Sequence, residues 1–171
     1  MRQVAVVFAL MLLQGCSPSP GRLEALAAKG QVQDDAPVKA SAEITIHASP
    51  EKVWSILSGI GDWPKWQSSV SAVQVNGPLA PGTVFVWTNG STKIASRIAL
   101  VEPGRRIAWT GTAFDAHAVH VWTLEALPDG STRVITSESM DGFMLGRLYS
   151  SEDLRESLTG WVAALKSRSE K

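Results

Sequence analysis

Cysteine is all but missing from this chain. One occurs in 171 residues, which excludes an internal disulfide framework and a multi-cysteine metal site. An excess of either charge is also missing. Lys+Arg and Asp+Glu balance at 16 each, and no basic stripe offers a nucleic acid its electrostatic footprint. Histidine occurs at positions 47, 117 and 120 alone. None stands at metal-ligand spacing from a partner, so neither a metal nor another cofactor is expected. Tyrosine occurs once, against seven tryptophans, all beyond residue 50. Such an aromatic-rich interior serves as core, or as the lining of a pocket for flat or apolar molecules.

The single cysteine, Cys16, has an informative position. Met1 and Arg2 give a positive start, and Val4 to Leu13 is apolar throughout. Spanning a bilayer takes about 20 apolar residues, so this run is too short to cross; it has the length of a signal-peptide core. Leu13-Gln14-Gly15-Cys16 follows, then the breaker-rich Ser17-Pro18-Ser19-Pro20-Gly21. The four residues resemble the lipobox of bacterial lipoproteins, where a small residue precedes the cut and the cysteine sulfur is alkylated by diacylglycerol. An ordinary secretory signal ending at its one cysteine is the alternative. The lipobox reading implies a membrane partner through Cys16 and a cell-envelope location. With Ser17 rather than aspartate after the cysteine, it implies the outer membrane, facing the periplasm, in a Gram-negative host. Oligomeric state is not legible.

The organisation that follows is residues 1–15 as leader, 16–40 as lipidated cysteine and flexible tether, and 41–171 as one domain. Residues 17–40 show no β pattern; residues 22–29 suit a turn or two of helix without a face to bury. Ala42 to His47 alternates like a strand. Ser49-Pro50-Glu51 reads as a helix start, and Gly61-Asp62 opens a second short helix carrying Trp63 and Trp66. Strands are expected over roughly 69–76, 83–88, 92–102, 105–111, 117–127 and 131–140. They are separated by Gly77-Pro78, Asn89-Gly90, Pro103-Gly104 and Pro128-Asp129-Gly130. A last helix is capped by Ser150 or Ser151 and buries the stripe Leu154, Leu158, Trp161, Leu165.

This order, with residues 49–54, 62–66, 107–111 and 120–125, resembles the START/Bet v1-like (SRPBCC) superfamily. The polyketide cyclase/dehydrase-like branch is the nearest in kind. The resemblance covers about residues 41–168. It implies an α+β helix-grip fold: a seven-stranded antiparallel sheet wrapped around a long C-terminal helix, with two short helices after the first strand. It also implies an apolar cavity that takes a hydrophobic small molecule or lipid. The superfamily has no universal catalytic residue, so none is carried over, and an enzyme is less expected than a binding module.

Turn chemistry predicts the cavity face. Asn89-Gly90 suits a type I′ hairpin, which places Thr88 opposite Ser91, Trp87 opposite Thr92 and Phe85 opposite Ile94. Pro103-Gly104 sets Leu100 against Ile107 and Ile98 against Trp109. Leu124 is set against Val134, which brings Trp122 to Thr136, His120 to Glu138 and Ala118 to Met140. The inner face then holds Phe85, Trp87, Ile94, Ile98, Leu100, Ile107, Trp109, Trp122, Leu124, Val134 and Met140. Thr92, Ser96, His120, Thr136 and Glu138 are its polar members, and Trp161 faces it from the last helix.

His120 and Glu138 are the candidates for catalysis. Two titratable groups opposite each other on an apolar wall perturb each other. They serve as a structural pair, a ligand anchor, or an acid–base pair for dehydration or cyclisation. Pairing predicts an ionised Glu138 and a raised His120 pKa unless desolvation wins. Trp63 and Trp66 belong either to a lid over the cavity or to ordinary packing, and Gly160 leaves room for a ligand or a neighbouring side chain. The leading expectation is a membrane-anchored binder of an apolar or aromatic molecule. A cyclase/dehydratase-type enzyme and an interaction protein with a filled core are the alternatives.

Overall fold

The computed structural model describes residues 20–171, so the leader and Cys16 lie outside the described residues. Helix α1 (Pro20–Ala28) precedes strand β1 (Val38–Ile46), helix α2 (Pro50–Ser58) and a 3-10 helix (Ile60–Lys65). Six strands follow: β2 (Val70–Asn76), β3 (Val84–Asn89), β4 (Thr92–Glu102), β5 (Arg106–Ala113), β6 (Ala116–Ala126) and β7 (Thr132–Asp141). A one-turn helix α3 (Leu145–Leu148) leads into the long helix α4 (Ser151–Ser169). The strands form one antiparallel sheet in the order β1-β7-β6-β5-β4-β3-β2. α4 lies in its concave face, which is the helix-grip arrangement. No described helix is long and apolar enough to cross a membrane.

Local chemistry explains the elements. The Ser49 hydroxyl accepts the Lys52 N–H, and Pro50 occupies the first turn of α2, where its missing N–H costs nothing. At α4, the Ser150 hydroxyl accepts from Asp153 N–H while the Asp153 carboxylate accepts from Ser150 N–H. Leu154, Leu158, Trp161 and Leu165 are all buried, as their spacing predicts.

The hairpins follow their turns, with two corrections. β6 and β7 pair as expected: Leu124 with Val134, Trp122 with Thr136, His120 with Glu138, Ala118 with Met140. Between β3 and β4 the turn is Gly90-Ser91 rather than Asn89-Gly90, so Asn89 pairs with Thr92, Trp87 with Ile94 and Phe85 with Ser96. Gly90 has φ 58 and Ser91 is not left-handed, which fits a II′ turn with glycine first. Both strands slip together by one residue, so every side chain keeps its face. The second correction changes a face. Ile98 pairs with Trp109 as expected, but a bulge at Ala99 follows and Leu100 pairs with Ala108 instead of Ile107. The extra residue turns Leu100 to the outer face and sets Val101 against Ile107 in its place.

The first strand begins at Val38, not Ala42, and the expected tether does not hold for residues 20–40. α1 packs on the outer, convex face of the sheet. Leu23 and Ala27 are buried there against Ala108, Val119 and Val121. Leu23, Leu26 and Ala27 stand at i, i+3 and i+4, a short helical stripe that the expectation of a helix without a face to bury did not use. What holds α1 is an apolar strip on β5 and β6, far away in sequence. Gln33 then ties the connection to β7, its N–H donating to Ser139 Oγ at 2.9 Å.

The concave face is aromatic. Trp63 sits at its centre, fully buried, with ring centroids 5.1 Å from Trp161, 5.5 Å from Trp87, 5.6 Å from Trp109 and 5.8 Å from Phe85. Its indole N–H donates to the Leu57 carbonyl at 2.8 Å, which locks the 3-10 helix beneath the sheet. Trp63 is thus a core residue, and Trp66 packs edge-on against Trp161. Edge-to-face pairs of this kind add about 0.5–1.5 kcal/mol each beyond the area they bury. Gly160 needs no special room: a Cβ there would meet nothing within 4 Å.

Candidate functional site

One half of the concave face is not filled. Towards the β5–β6 turn the inward positions become small: Gly111 pairs with Ala118, and Ala113 with Ala116. A Cβ at Gly111 would come within 3.5 Å of Ile94 Cγ2 and of Ser96 Oγ. These small residues leave a cavity of about 80 Å³ between the sheet and the first half of α4. Trp87, Ile94, Ser96 and Trp109 form one wall; His120, Glu138 and Met140 form another; Leu154, Ser157, Leu158 and Trp161 close it from α4.

Of the expected cavity residues, Trp87, Ile94, Ser96, Trp109, His120, Glu138, Met140 and Trp161 line this space. Phe85, Ile98 and Trp122 do not; they are fully buried in the aromatic core beneath it. Thr136 is fully buried as well and acts one step back, through His120. Asn89, Gly111, Thr112, Ala113, Ala116, Ala118, Leu154, Ser157 and Leu158 also line the cavity and were not among the expected residues. The alternating small residues at 111, 113, 116 and 118 were the available signal. Small inward side chains at one end of two paired strands mean space.

The polar groups are few and placed. The Trp87 indole N–H donates to Ser96 Oγ at 3.1 Å. The His120 ring lies between Trp109, centroids 4.8 Å apart, and Trp122, stacked at 5.4 Å. Its Nε2 is 2.7 Å from Thr136 Oγ1, and its Nδ1 is 3.6 Å from Glu138 Oε2. The last distance is too long for a direct hydrogen bond. No described residue hydrogen-bonds the Glu138 carboxyl, although its side chain is only 13% exposed.

Burial decides the protonation of this pair, and for His120 desolvation wins over pairing, so its pKa falls instead of rising. Burial pushes the His120 pKa down to about 3 and the Glu138 pKa up to about 8. Both shifts have the same cause: each charged form would lose its water in an apolar wall, and the partner at 3.6 Å does not compensate. At neutral pH the site therefore holds a neutral imidazole and a neutral carboxylic acid. The acid offers an O–H donor and a carbonyl acceptor to whatever enters. Among the described residues no cluster of three or more His, Cys, Asp or Glu side chains is placed to hold a metal.

A larger groove, about 540 Å³, runs between α1 and the outer face. It is open, and at its edge Arg22 and Asp35 already pair with each other at 3.1 Å. Among the described residues, no unpartnered buried group converges in it.

Comparison with known proteins agrees with this geometry. A family model described as polyketide cyclase / dehydrase and lipid transport matches residues 37–169. No curated protein matches the chain. Among solved structures, a hypothetical protein from Helicobacter pylori is similar at TM-score 0.72 and 20% identity, over 80% of this chain and 90% of that one. A START superfamily protein from Mycobacterium smegmatis is similar at TM-score 0.68 and 15% identity, over 77% and 97%. The ZhuI aromatase/cyclase from Streptomyces sp. R1128 is similar at TM-score 0.62 and 17% identity, over 77% and 93%. At these identities the likeness is one of fold.

Proposed function

The chain belongs to the polyketide cyclase / dehydrase and lipid transport family, and from that premise we propose that it is a lipid-anchored module that binds an apolar molecule by one polar end. The observation that carries the reading is Glu138. Its carboxyl faces the cavity, is only 13% exposed and has no hydrogen-bond partner among the described residues. A ligand hydroxyl or carbonyl at the His120–Glu138 step would supply that partner. The cavity limits what enters. A dry cavity of about 150 Å³ holds a benzene ring; here the space is about 80 Å³. The ligand's polar end and a few carbons fit inside, and the rest extends out past Ala113 and Asn89. A long apolar chain suits this better than a fused-ring system does.

The anchor rests on Leu13-Gln14-Gly15-Cys16. Alkylation at the Cys16 sulfur gives a two-chain anchor, enough for stable membrane attachment. The location is the cell envelope, and with Ser17 after the cysteine it is the outer membrane, periplasmic side, in a Gram-negative host. Wild type should carry a lipid mass on its N-terminal residue, and Cys16→Ser should appear in the soluble fraction. A soluble wild type without that mass ends the anchor reading.

The binding test is native mass spectrometry of protein extracted from its own membranes. A co-purified apolar molecule is expected in wild type and lost in Gly111→Val, whose added methyls fill the cavity beside Ile94 and Ser96. An empty wild type whose tryptophan emission ignores added fatty acid would defeat the binding reading. Catalysis is the second reading, favoured by one observation: a neutral acid and a neutral imidazole 3.6 Å apart can give and take a proton in one pocket. It requires a turnover that His120→Ala abolishes and Gly160→Ala leaves intact.

A further inference from the structure

Four large apolar side chains stand in solvent at one end of the molecule. Phe114 is 93% exposed, Phe143 85%, Leu148 77% and Met144 40%. They are not scattered. Phe114 is at the β5–β6 turn, between Ala113 and Ala116, which line the cavity mouth. Phe143, Met144 and Leu148 belong to the connection from β7 to α4. The two segments are held together, since the Met144 N–H donates to Asp115 Oδ2 at 2.8 Å. Gly142 presses so closely on the same turn that a Cβ there would be 2.8 Å from the Asp115 carbonyl. The result is an apolar crown around the cavity mouth, and contiguous exposed apolar surface marks an interaction site where single residues do not.

Phe114 adds a second observation. It has φ 53, the left-handed region, at the first central position of a two-residue hairpin turn. Glycine is the ordinary occupant there. An exposed aromatic side chain in that position serves neither the turn nor the core.

The path of the chain says what the crown faces. At the start of α1, Arg22 pairs with Asp35 at 3.1 Å, and the neighbouring Asp34 carbonyl accepts Lys39 Nζ at 2.8 Å. Lys39 lies opposite Ser139, near the crown end of β7. Past the other end of α1, Gly30 lies against Arg106 and Leu100, beside the β4–β5 turn. α1 therefore starts on the crown's side of the molecule. Cys16 is four residues before Pro20, and four residues reach at most about 14 Å. A lipid on Cys16 holds that end of the domain close to the bilayer.

We propose that the crown of Phe114, Phe143, Met144 and Leu148 docks into the same bilayer that holds the Cys16 lipid, so that the cavity mouth opens onto the membrane's apolar phase. This rests on the anchor reading above. The four crown side chains carry no charge, so the contact they make is apolar and changes little with salt. It also supplies a place for the part of a ligand that the small cavity leaves outside.

The test uses the lipidated full chain in vesicles of phosphatidylethanolamine and phosphatidylglycerol. Alkylated Cys16 leaves no free thiol, so Phe114→Cys, Phe143→Cys and Leu148→Cys each accept one environment-sensitive fluorophore. Arg105→Cys, at the β4–β5 turn of the opposite end, is the control. Probes at 114, 143 and 148 should blue-shift on reconstitution and lose several-fold of their intensity to nitroxide-bearing lipids, while the probe at 105 does neither. Should the turn not tolerate Phe114→Cys, positions 143 and 148 decide alone. An anchored protein whose crown probes stay water-like overturns the docking and leaves the anchor standing. A blue shift without lipid quenching means that a second copy or a partner protein covers the crown, which overturns it too. A wild type without the lipid mass fails earlier, at the anchor, and the docking falls with it.

Discussion

The two halves of the concave face are built from the same sheet and the same helix, yet they do opposite things. The half beneath the cavity is filled by Trp63, Phe85 and Trp122, with Trp161 on the border between the two halves. The half near the β5–β6 turn has Gly111, Ala113, Ala116 and Ala118 where large side chains would otherwise point inward, and it holds the cavity with His120 and Glu138. Filling supports the fold, whereas deliberate underfilling makes a site. The Glu138 carboxyl, without a protein partner among the described residues, faces the second half, where a ligand would meet it.

Substitutions and pH separate the halves. The largest effect is expected in the filled half. Trp161→Ala removes a ring in contact with Trp63, Trp87 and Trp122 and should cost about 3–5 kcal/mol by denaturant unfolding. A cost below about 1 kcal/mol would mean that the aromatic half is not the folding core.

The open half should instead show itself in the pH dependence. Glu138 has a folded pKa raised from 4.5 to about 8. Its contribution is complete below about 4.5 and is lost as pH rises towards 8. His120 has a folded pKa lowered from 6.5 to about 3, so its contribution is present above 6.5 and is lost as pH falls towards 3. Between 4.5 and 6.5 the folded state keeps one proton on Glu138 and the unfolded state keeps one on His120, so these two groups leave stability flat. From 6.5 to 8 the folded state alone keeps a proton, and stability should fall by about 2 kcal/mol. Glu138→Gln should flatten that alkaline limb, and an unchanged limb would place its origin elsewhere.

Two smaller effects bound the comparison from outside the cavity. Leu23→Ala should cost about 2 kcal/mol, because α1 is part of the fold rather than a tether. A neutral result, or an unchanged melt on removing residues 1–40, would restore the tether. Gly160→Ala should raise stability by about 1 kcal/mol, since the added Cβ meets nothing and the helix loses a flexible residue. A loss there would show that the exposed face of α4 is covered.

Much of the fold was decided locally and was legible from residues. Ser49-Pro50 and Ser150 start helices because an N-terminus needs side-chain acceptors. Alternation and turn chemistry fixed β2 to β7, and the pairing of Leu124 with Val134 placed His120 opposite Glu138. Even the misplaced β3–β4 turn kept the faces, because both strands slipped together. Tertiary structure decided what depends on residues distant in the chain. α1 is held by a strip of β5 and β6, so its short stripe of Leu23, Leu26 and Ala27 did not say by itself what would cover it. The bulge at Ala99 moved Leu100 outward, a one-residue irregularity that alternation does not encode. Whether seven tryptophans line a cavity or fill one is a matter of volume, and volume is settled only when α4, the 3-10 helix and the sheet meet. The charges of His120 and Glu138 followed from the same closure. The sequence placed the two groups face to face, but the water removed around them set which form each one takes.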